Sequence, residues 1–165
     1  MNILSKIATI SLGFLLFGCA VAPQNRPSPQ VPQQQSAFDR GVSLYNQENY
    51  KEASVAFKEA LTISPSNAAY SSWLGASYCR GDNPTLGIDI FTRLINASPN
   101  DPNNFDWLGH CYNAVKKYDD AIVAAKRALQ LNPNYANAYY LMGLSYTQKH
   151  QPAEAYDMFR QTLTL

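Results

Sequence analysis

A repeat of 34 residues constrains the fold of this chain more than any other feature of its sequence. Between residues 36 and 165, single residue types recur at this spacing without an insertion or a deletion. The columns are Gly41, Gly75, Gly109 and Gly143; Pro65, Pro99 and Pro133; Tyr78, Tyr112 and Tyr146; Ala53, Ala121 and Ala155, with Gly87 in the remaining place; and Phe57, Phe91 and Phe159, with Ala125 in the remaining place. An uninterrupted period of this length indicates similar units that stack to bury a continuous core.

The end of each unit carries a helix-stopping signal. The stretches EALTISP, RLINASP and RALQLNP finish on the proline column, where the missing N–H and the ring stop a helix and turn the chain. Together with the five columns, this pattern resembles the tetratricopeptide repeat. The family's early tryptophan place departs from that pattern, since it holds Ala37, Ser71, Phe105 and Tyr139.

The resemblance implies an all-α fold, a right-handed solenoid of four helix-turn-helix units. The units span residues 36–67, 68–101, 102–135 and 136–165. Glycine and alanine let the two helices of a unit approach closely, and one unit alone cannot bury its apolar face. We expect eight helices, near residues 36–48, 51–63, 68–80, 84–97, 102–115, 118–131, 136–149 and 152–164.

The resemblance also implies a concave groove lined by the first helix of each unit. Carried onto this sequence, the groove-facing places hold Phe38, Val42, Tyr45, Ser72, Ala76, Arg80, Asn103, Asp106, His110, Asn113, Tyr140, Leu144 and Gln148. The set is aromatic and polar with little charge, and it lacks the lysine and asparagine residues with which some family members hold a terminal carboxylate. We expect a protein or peptide partner held by aromatic anchors and amide hydrogen bonds.

The first 18 residues have the pattern of a signal peptide. One lysine precedes an apolar run from Ile7 to Phe17, which is too short to span a bilayer comfortably. The residues Leu16-Phe17-Gly18-Cys19 resemble the bacterial lipobox, although Phe17 is larger than the usual residue. That resemblance implies a signal peptide over residues 1–18 and a covalent lipid on Cys19, with no other cofactor. An ordinary secretory signal or an uncleaved anchor remains the alternative.

The residues after Cys19 predict a tether and a location. Residues 19–35 are rich in proline and glutamine and offer little apolar surface, so they predict an extended, semi-rigid linker. Ala20 is not the aspartate that commonly retains lipoproteins at the inner membrane of Gram-negative bacteria. The resemblance therefore implies a lipid anchor in the outer membrane, on its periplasmic face. The outer face of the plasma membrane in a Gram-positive host is the alternative.

Charge and motifs argue against nucleic-acid binding and catalysis. The formal charge is +1, and the basic residues are scattered rather than clustered. Neither His110 nor His150 has a metal-ligand spacing, and no phosphate loop or nucleophile motif is present. We therefore expect no enzyme activity and no metal site. Cys79 and Cys111 lie late in the first helices of neighbouring units, where they form either a disulfide or two buried thiols.

These features predict a membrane-anchored scaffold for protein–protein interactions in the cell envelope. Similar small repeat lipoproteins assist the assembly of a pilus or a secretion complex, which is the function that we favour. An adaptor for peptidoglycan-processing enzymes and a cell-wall glycan binder are the alternatives. The last helix carries Tyr156 and Phe159 and has no ninth helix after it. That end predicts either a homodimer or docked partner, or a frayed end that is soluble enough by itself.

Overall fold

The computed structural model of the protein describes residues 30–165, with side chains described from residue 36 onwards. Eight α-helices and no strand occur in this part of the chain. They are α1 (Gln30–Asn46), α2 (Tyr50–Ile63), α3 (Ala68–Arg80), α4 (Pro84–Ala97), α5 (Pro102–Ala114), α6 (Tyr118–Leu131), α7 (Ala136–Gln148) and α8 (Pro152–Thr164). The predicted leader, Cys19 and the linker as far as residue 29 lie outside the described residues.

The helices pack as four consecutive pairs that stack on one another. Each helix contacts the next one along the chain, and the first helices also contact each other, α3 with α5 and α5 with α7. This arrangement confirms the predicted all-α solenoid of four helix pairs. Apolar clusters fill the junctions between units, and each draws residues from both sides, as Phe57 and Leu74 do at the first junction. Between residues 30 and 165, no helix combines the length and the apolar character that a membrane span requires.

The glycine column marks the closest approach of the two helices in a unit. A Cβ added to Gly41 would lie 2.6 Å from the ring of Phe57, and one added to Gly143 would lie 2.5 Å from the ring of Phe159. The third unit has Ala125 in the phenylalanine place. There the space is filled from the next unit, because a Cβ on Gly109 would meet Leu141 Cδ2 at 2.5 Å.

The turns inside the units also follow the 34-residue period. Glu48, Lys116 and His150 have φ angles of 62°, 61° and 58°, in the left-handed region. Asp82 has the same place in the second unit without a positive φ, since Gly81 and Pro84 shape a different turn there. His150 therefore lies in the turn that links α7 to α8.

The first helix begins earlier than predicted. We expected it from residue 36, after an extended linker over residues 19–35, but α1 begins at Gln30. The prediction of an extended chain was therefore wrong for the last six residues of that linker. Glutamine is a good helix former, and Pro32 lies in the first turn, where backbone N–H groups have no partner within the helix.

Candidate functional site

A cleft of about 490 Å³ opens between α3 and α5, at the junction of the second and third units. Its lining combines small, aromatic and amide side chains, namely Ala68, Ala69, Ser72, Trp73, Ala76, Leu94, Ser98, Asp101, Asn103, Asn104 and Trp107. The predicted groove residues Ser72, Ala76 and Asn103 lie in it. Mostly apolar clefts of this size with a few polar groups are typical of binding sites. This one has room for one or two bulky side chains.

Two tryptophans that the sequence analysis did not assign to the groove, Trp73 and Trp107, form the aromatic part of this cleft. Trp73 packs edge-on against Tyr45, with 5.2 Å between ring centroids. Trp107 lies nearly parallel to Phe91, at 6.1 Å and an interplanar angle of 7°. The sequence contained a signal for these two residues, since they are 34 residues apart and so have the same place in neighbouring units. The outer units have Asp39 and Leu141 at that place, so the tryptophan pair is confined to the two middle units.

Arg80 ends α3 and reaches across the face that the first helices share. Its guanidinium carbon lies 6.0 Å from the ring centroid of Tyr45 and 5.7 Å from that of Trp107. These rings belong to α1 and α5, on either side of α3. None of the ion pairs formed within residues 36–165 involves Arg80, whose side chain is exposed. The predicted groove residues Tyr45 and Arg80 are therefore in contact.

Tyr45 itself faces inward. Its hydroxyl is buried and has no hydrogen-bond partner among the described residues. Burial raises the pKa of Tyr45 to about 12, an effect opposed by the positive charge of Arg80. Its ring also packs edge-on against Tyr50, at 5.1 Å. Tyr45 thus supports Arg80 and Trp73 with its ring, and its hydroxyl is not available to a partner.

Asp106, which is buried, and His110, which is half-buried, form a pair beside Trp107. Asp106 is only 4 % exposed, and its Oδ2 lies 3.8 Å from His110 Nε2. Burial raises the pKa of Asp106 to about 7, and burial followed by the charge of Arg80 lowers the pKa of His110 to about 4. Both groups are therefore uncharged over most of the interval between these values. We predicted that Asp106 lines the groove, but α7 packs against α5 and leaves Asp106 in the interior.

The two asparagines predicted for the groove have different environments. Asn113 Oδ1 accepts a hydrogen bond of 2.9 Å from the Ser145 hydroxyl and so joins α5 to α7. Asn103 is exposed at the rim of the cleft, where its Oδ1 accepts a bond of 2.7 Å from the Tyr135 hydroxyl. Its amide nitrogen donates a bond of 2.8 Å to Asp101. Asn113 therefore supports the packing of two units, whereas Asn103 remains accessible.

The other predicted groove residues lie away from the cleft. Phe38 stacks on Tyr70, with 4.6 Å between ring centroids, and packs into the first junction. Tyr140 is 46 % exposed and lies beside Phe159, at 5.9 Å, in the last unit. Leu144 is half-buried on the same helix, α7. Arg80 thus links Tyr45 to Trp107, and Asp106 and His110 lie beside Trp107. Phe38 and Tyr140 lie apart from this group, at the two ends of the groove.

Comparison with known proteins identifies the repeats. Models of the tetratricopeptide repeat family match residues 35–67 and 107–135. The first unit and most of the third therefore match the tetratricopeptide repeat. The human "TPR and ankyrin repeat-containing protein 1" is 41 % identical over 56 residues, which is 34 % of this chain and 2 % of that protein. The bovine "Protein SGT1 homolog" is 25 % identical over 79 residues, 48 % of this chain and 23 % of that protein. The chain thus spans less than a quarter of the length of these relatives.

Solved structures show the same fold. A thermophilic TPR protein of Thermus thermophilus superposes with a TM-score of 0.73 at 22 % identity, over 80 % of this chain and 74 % of the other. MamA of Desulfovibrio magneticus superposes with a TM-score of 0.66 at 21 % identity, over 80 % and 75 %. At these identities the likeness shows a tetratricopeptide solenoid and nothing about which residues bind a partner.

A disulfide joins repeats 2 and 3 beside the cleft. It links Cys79 of α3 to Cys111 of α5, and the Cα atoms are 4.6 Å apart, within the usual range. A Cβ on Gly87 would overlap the Cys79 sulfur and lie 3.1 Å from the Cys111 sulfur. The alanine column therefore holds a glycine in repeat 2, where the two sulfurs fill the space of the missing methyl group.

A second cleft of about 490 Å³ lies on the outer face of repeat 4, lined by Thr147, His150, Pro152, Ala155, Tyr156 and Phe159. Tyr156 is 67 % exposed there. This is the face that the sequence analysis considered for a homodimer. The opposite end differs, because Arg40 has the place of Leu74 and Leu108 and pairs with Glu59. The N-terminal face of repeat 1 is therefore charged, whereas the outer face of repeat 4 is apolar.

Proposed function

We propose that this protein is a membrane-anchored scaffold of a bacterial cell envelope that holds a segment of a partner protein in the cleft between Trp73 and Trp107. Tetratricopeptide repeats are protein–protein interaction modules, and this chain stacks four helix pairs, of which the first and the third match models of that family. The observation that carries the proposal is the open cleft itself, with two half-buried tryptophans beside the small side chains of Ser72 and Ala76.

The disulfide supports an exported location. Disulfides persist in oxidising compartments and are rare in the cytosol, so the Cys79–Cys111 bond fits a domain outside the inner membrane. The apolar run from Ile7 to Phe17, followed by Cys19, supplies the export signal and the site of the lipid in this proposal. Two or more acyl chains on Cys19 would hold the protein stably at the outer membrane. Assistance in assembling a pilus or a secretion complex is the role that we favour there.

Binding rather than catalysis is the function that the groove supports. Among the described residues, no group of three or more histidine, cysteine, aspartate or glutamate side chains could hold a metal ion. Asp106 and His110 are an acid and a base 3.8 Å apart, but Asp106 is buried, His110 is half-buried, and both are uncharged between their shifted pKa values. The accessible part of the site consists of aromatic rings, small residues and amides.

A cell-wall glycan is the second candidate ligand, and one observation favours it. Trp73 and Trp107 share the cleft with Asp101 and Asn103, and sugars are commonly bound between aromatic faces and such polar groups. Asp101 Oδ1, however, already accepts bonds from the backbone and the side chain of Asn103. The peptide therefore remains the favoured ligand.

Site-specific crosslinking in living cells tests the proposal. A photoreactive phenylalanine at Ser72 lies in the cleft, and one at Val123, which is 66 % exposed on α6, is the matched control. We expect Ser72 to capture an envelope protein that Val123 does not capture. We also expect Cys19→Ser to release the crosslinked product from the membrane fraction. Equal products at both positions would contradict binding in the cleft, and a product that stays on the membrane without Cys19 would contradict the lipid anchor. A peptidoglycan adduct at Ser72 would favour the glycan.

A further inference from the structure

We infer that the segment held in the cleft carries an acidic residue close to a bulky apolar residue, with its carboxylate bound by Arg80 and the apolar side chain between Trp73 and Trp107. This inference rests on the proposed function and adds the chemistry of the partner to it. Three observations support it: the position of Arg80 on the groove, the charges around Arg80, and the ring of Trp107, which contacts Arg80 and also lines the cleft.

The rings of Tyr45 and Trp107 hold the guanidinium of Arg80 in place. They lie 6.0 Å and 5.7 Å from its central carbon and belong to helices on either side of α3. Aromatic contacts use the flat faces of a guanidinium and leave its N–H edges free to donate. The side chain of Tyr50 interacts with one of these donors, and the others remain for a partner. A carboxylate can accept two such bonds at once, and an arginine already ordered by rings loses less side-chain entropy on binding it.

Arg80 is the charged group that selects the partner, because the other charged groups near it are already engaged or buried. Of the predicted groove residues, only Arg80, Asp106 and His110 are ionisable apart from tyrosine. Asp106 is buried and His110 is half-buried, and Asp106 Oδ2 lies 3.8 Å from His110 Nε2. Asp101 lines the cleft, and its Oδ1 already accepts two hydrogen bonds. Glu48 lies near enough to Arg80 to interact with it through space, but it forms no ion pair within 4 Å.

Trp107 fixes the distance between the two binding features. Its ring contacts the guanidinium of Arg80 and also lines the cleft. The carboxylate and the apolar side chain must therefore lie within roughly one ring width of each other. In an extended peptide, alternate side chains point to the same side and lie about 6.8 Å apart. In an extended segment the acidic and the apolar residue are thus two positions apart.

Selection from random peptides tests this chemistry without assuming a partner. The full chain is immobilised, and phage-displayed random dodecapeptides are selected against it. We expect enrichment of aspartate or glutamate within two positions of an aromatic or large aliphatic residue. Enrichment of apolar residues with no acidic preference, or with lysine or arginine instead, would refute the inference and leave the peptide-binding function standing. No enrichment over an uncoated surface would refute both the inference and peptide binding in the cleft.

Arg80→Gln and a matched control then identify the group that reads the carboxylate. Arg127 on α6 provides the control, because its guanidinium also lies over a ring, 5.9 Å from the centroid of Phe105. The probe is a fluorescein-labelled acidic-apolar dodecapeptide from the selection, with the same peptide carrying glutamine for glutamate. Arg80→Gln should weaken binding of the acidic peptide about fivefold to tenfold and leave the glutamine peptide unchanged, while Arg127→Gln should change neither. Equal losses for both peptides, or no loss for either, would overturn the assignment to Arg80.

Discussion

Replacing Asp106 or His110 should expose two pH effects on stability that cancel in the unaltered protein. Burial holds Asp106 protonated up to a pKa of about 7, above its ordinary 3.8, and holds His110 neutral down to a pKa of about 4, below its ordinary 6.5. Between pH 4 and 6.5 the unfolded pair carries one proton, on the histidine. The folded pair also carries one proton, on the aspartate. Folding then takes up no proton at this pair, so the pair gives stability no slope with pH.

The two separate contributions are large and have opposite signs. The raised pKa of Asp106 stabilises the fold below pH 3.8, and this contribution is lost as the pH rises through 7. The lowered pKa of His110 has the reverse effect, because stability is lost as the pH falls through 4. At about 1.36 kcal/mol per pKa unit, the full shifts correspond to about 4 and about 3 kcal/mol. Either one is a substantial fraction of the stability of a small domain.

Urea unfolding between pH 4.5 and 6.5 measures the cancellation. His110→Gln leaves Asp106 alone, so its stability should fall by about 3 kcal/mol as the pH rises over this interval. Asp106→Asn leaves His110 alone, so its stability should rise by about 2 kcal/mol over the same interval. The control is Asp120→Asn, which changes an exposed aspartate. For this variant and for the unaltered protein, the change of stability with pH should lie between those of the other two variants. Parallel profiles for all four proteins would refute the reasoning, since they would mean that neither group titrates with a perturbed pKa.

Three further predictions concern the backbone and the disulfide. A Cys19→Ser chain should show no free thiol in urea before reduction and two free thiols after reduction. Removing Cys79 and Cys111 together should lower the free energy of unfolding by about 3 to 4 kcal/mol, as expected for a loop closed over 32 residues. Gly87→Ala should destabilise the oxidised protein by about 1 to 3 kcal/mol in chemical denaturation, and by clearly less in the chain without the two cysteines, because the added methyl group then meets no disulfide. Lys116→Gly should raise stability by up to about 1 kcal/mol in thermal unfolding, because glycine adopts the positive φ of 61° without strain.

The sequence predicted the helices well because their boundaries depend on local signals. From α2 to α8, each predicted range differs from the structure by at most one residue at either end. Proline, the capping residue Asn67 and the left-handed turn residues act within a few positions of the helix ends. The start of α1 was missed because the prolines of its segment suggested an extended chain. Composition alone cannot separate the two cases, because a segment with a proline in the first turn of a helix has the same composition as an extended segment.

The depth of a side chain in the groove could not be predicted from its place in the repeat. Phe38, Ser72, Asp106 and Tyr140 have the same place in the four units. Asp106 is 4 % exposed and Tyr140 is 46 % exposed. The difference arises outside the unit, because α7 covers the third repeat, whereas no described helix covers the fourth. The repeat therefore predicts the face on which a side chain lies, and the neighbouring unit decides how deeply it is buried.

Two departures from the repeat meet at the junction of repeats 2 and 3. Cys111 interrupts a column that otherwise holds Ser43, Ser77 and Ser145, and Gly87 interrupts the alanine column. Both departures follow from one disulfide, which fixes the separation of α3 and α5. The same two helices carry Trp73 and Trp107, so the disulfide also sets the width of the cleft between them. Stacking alone would need no such bond, because the other junctions pack without one among the described residues. In the proposed function the crosslink would hold the cleft at a preformed width, which lowers the cost of binding a partner.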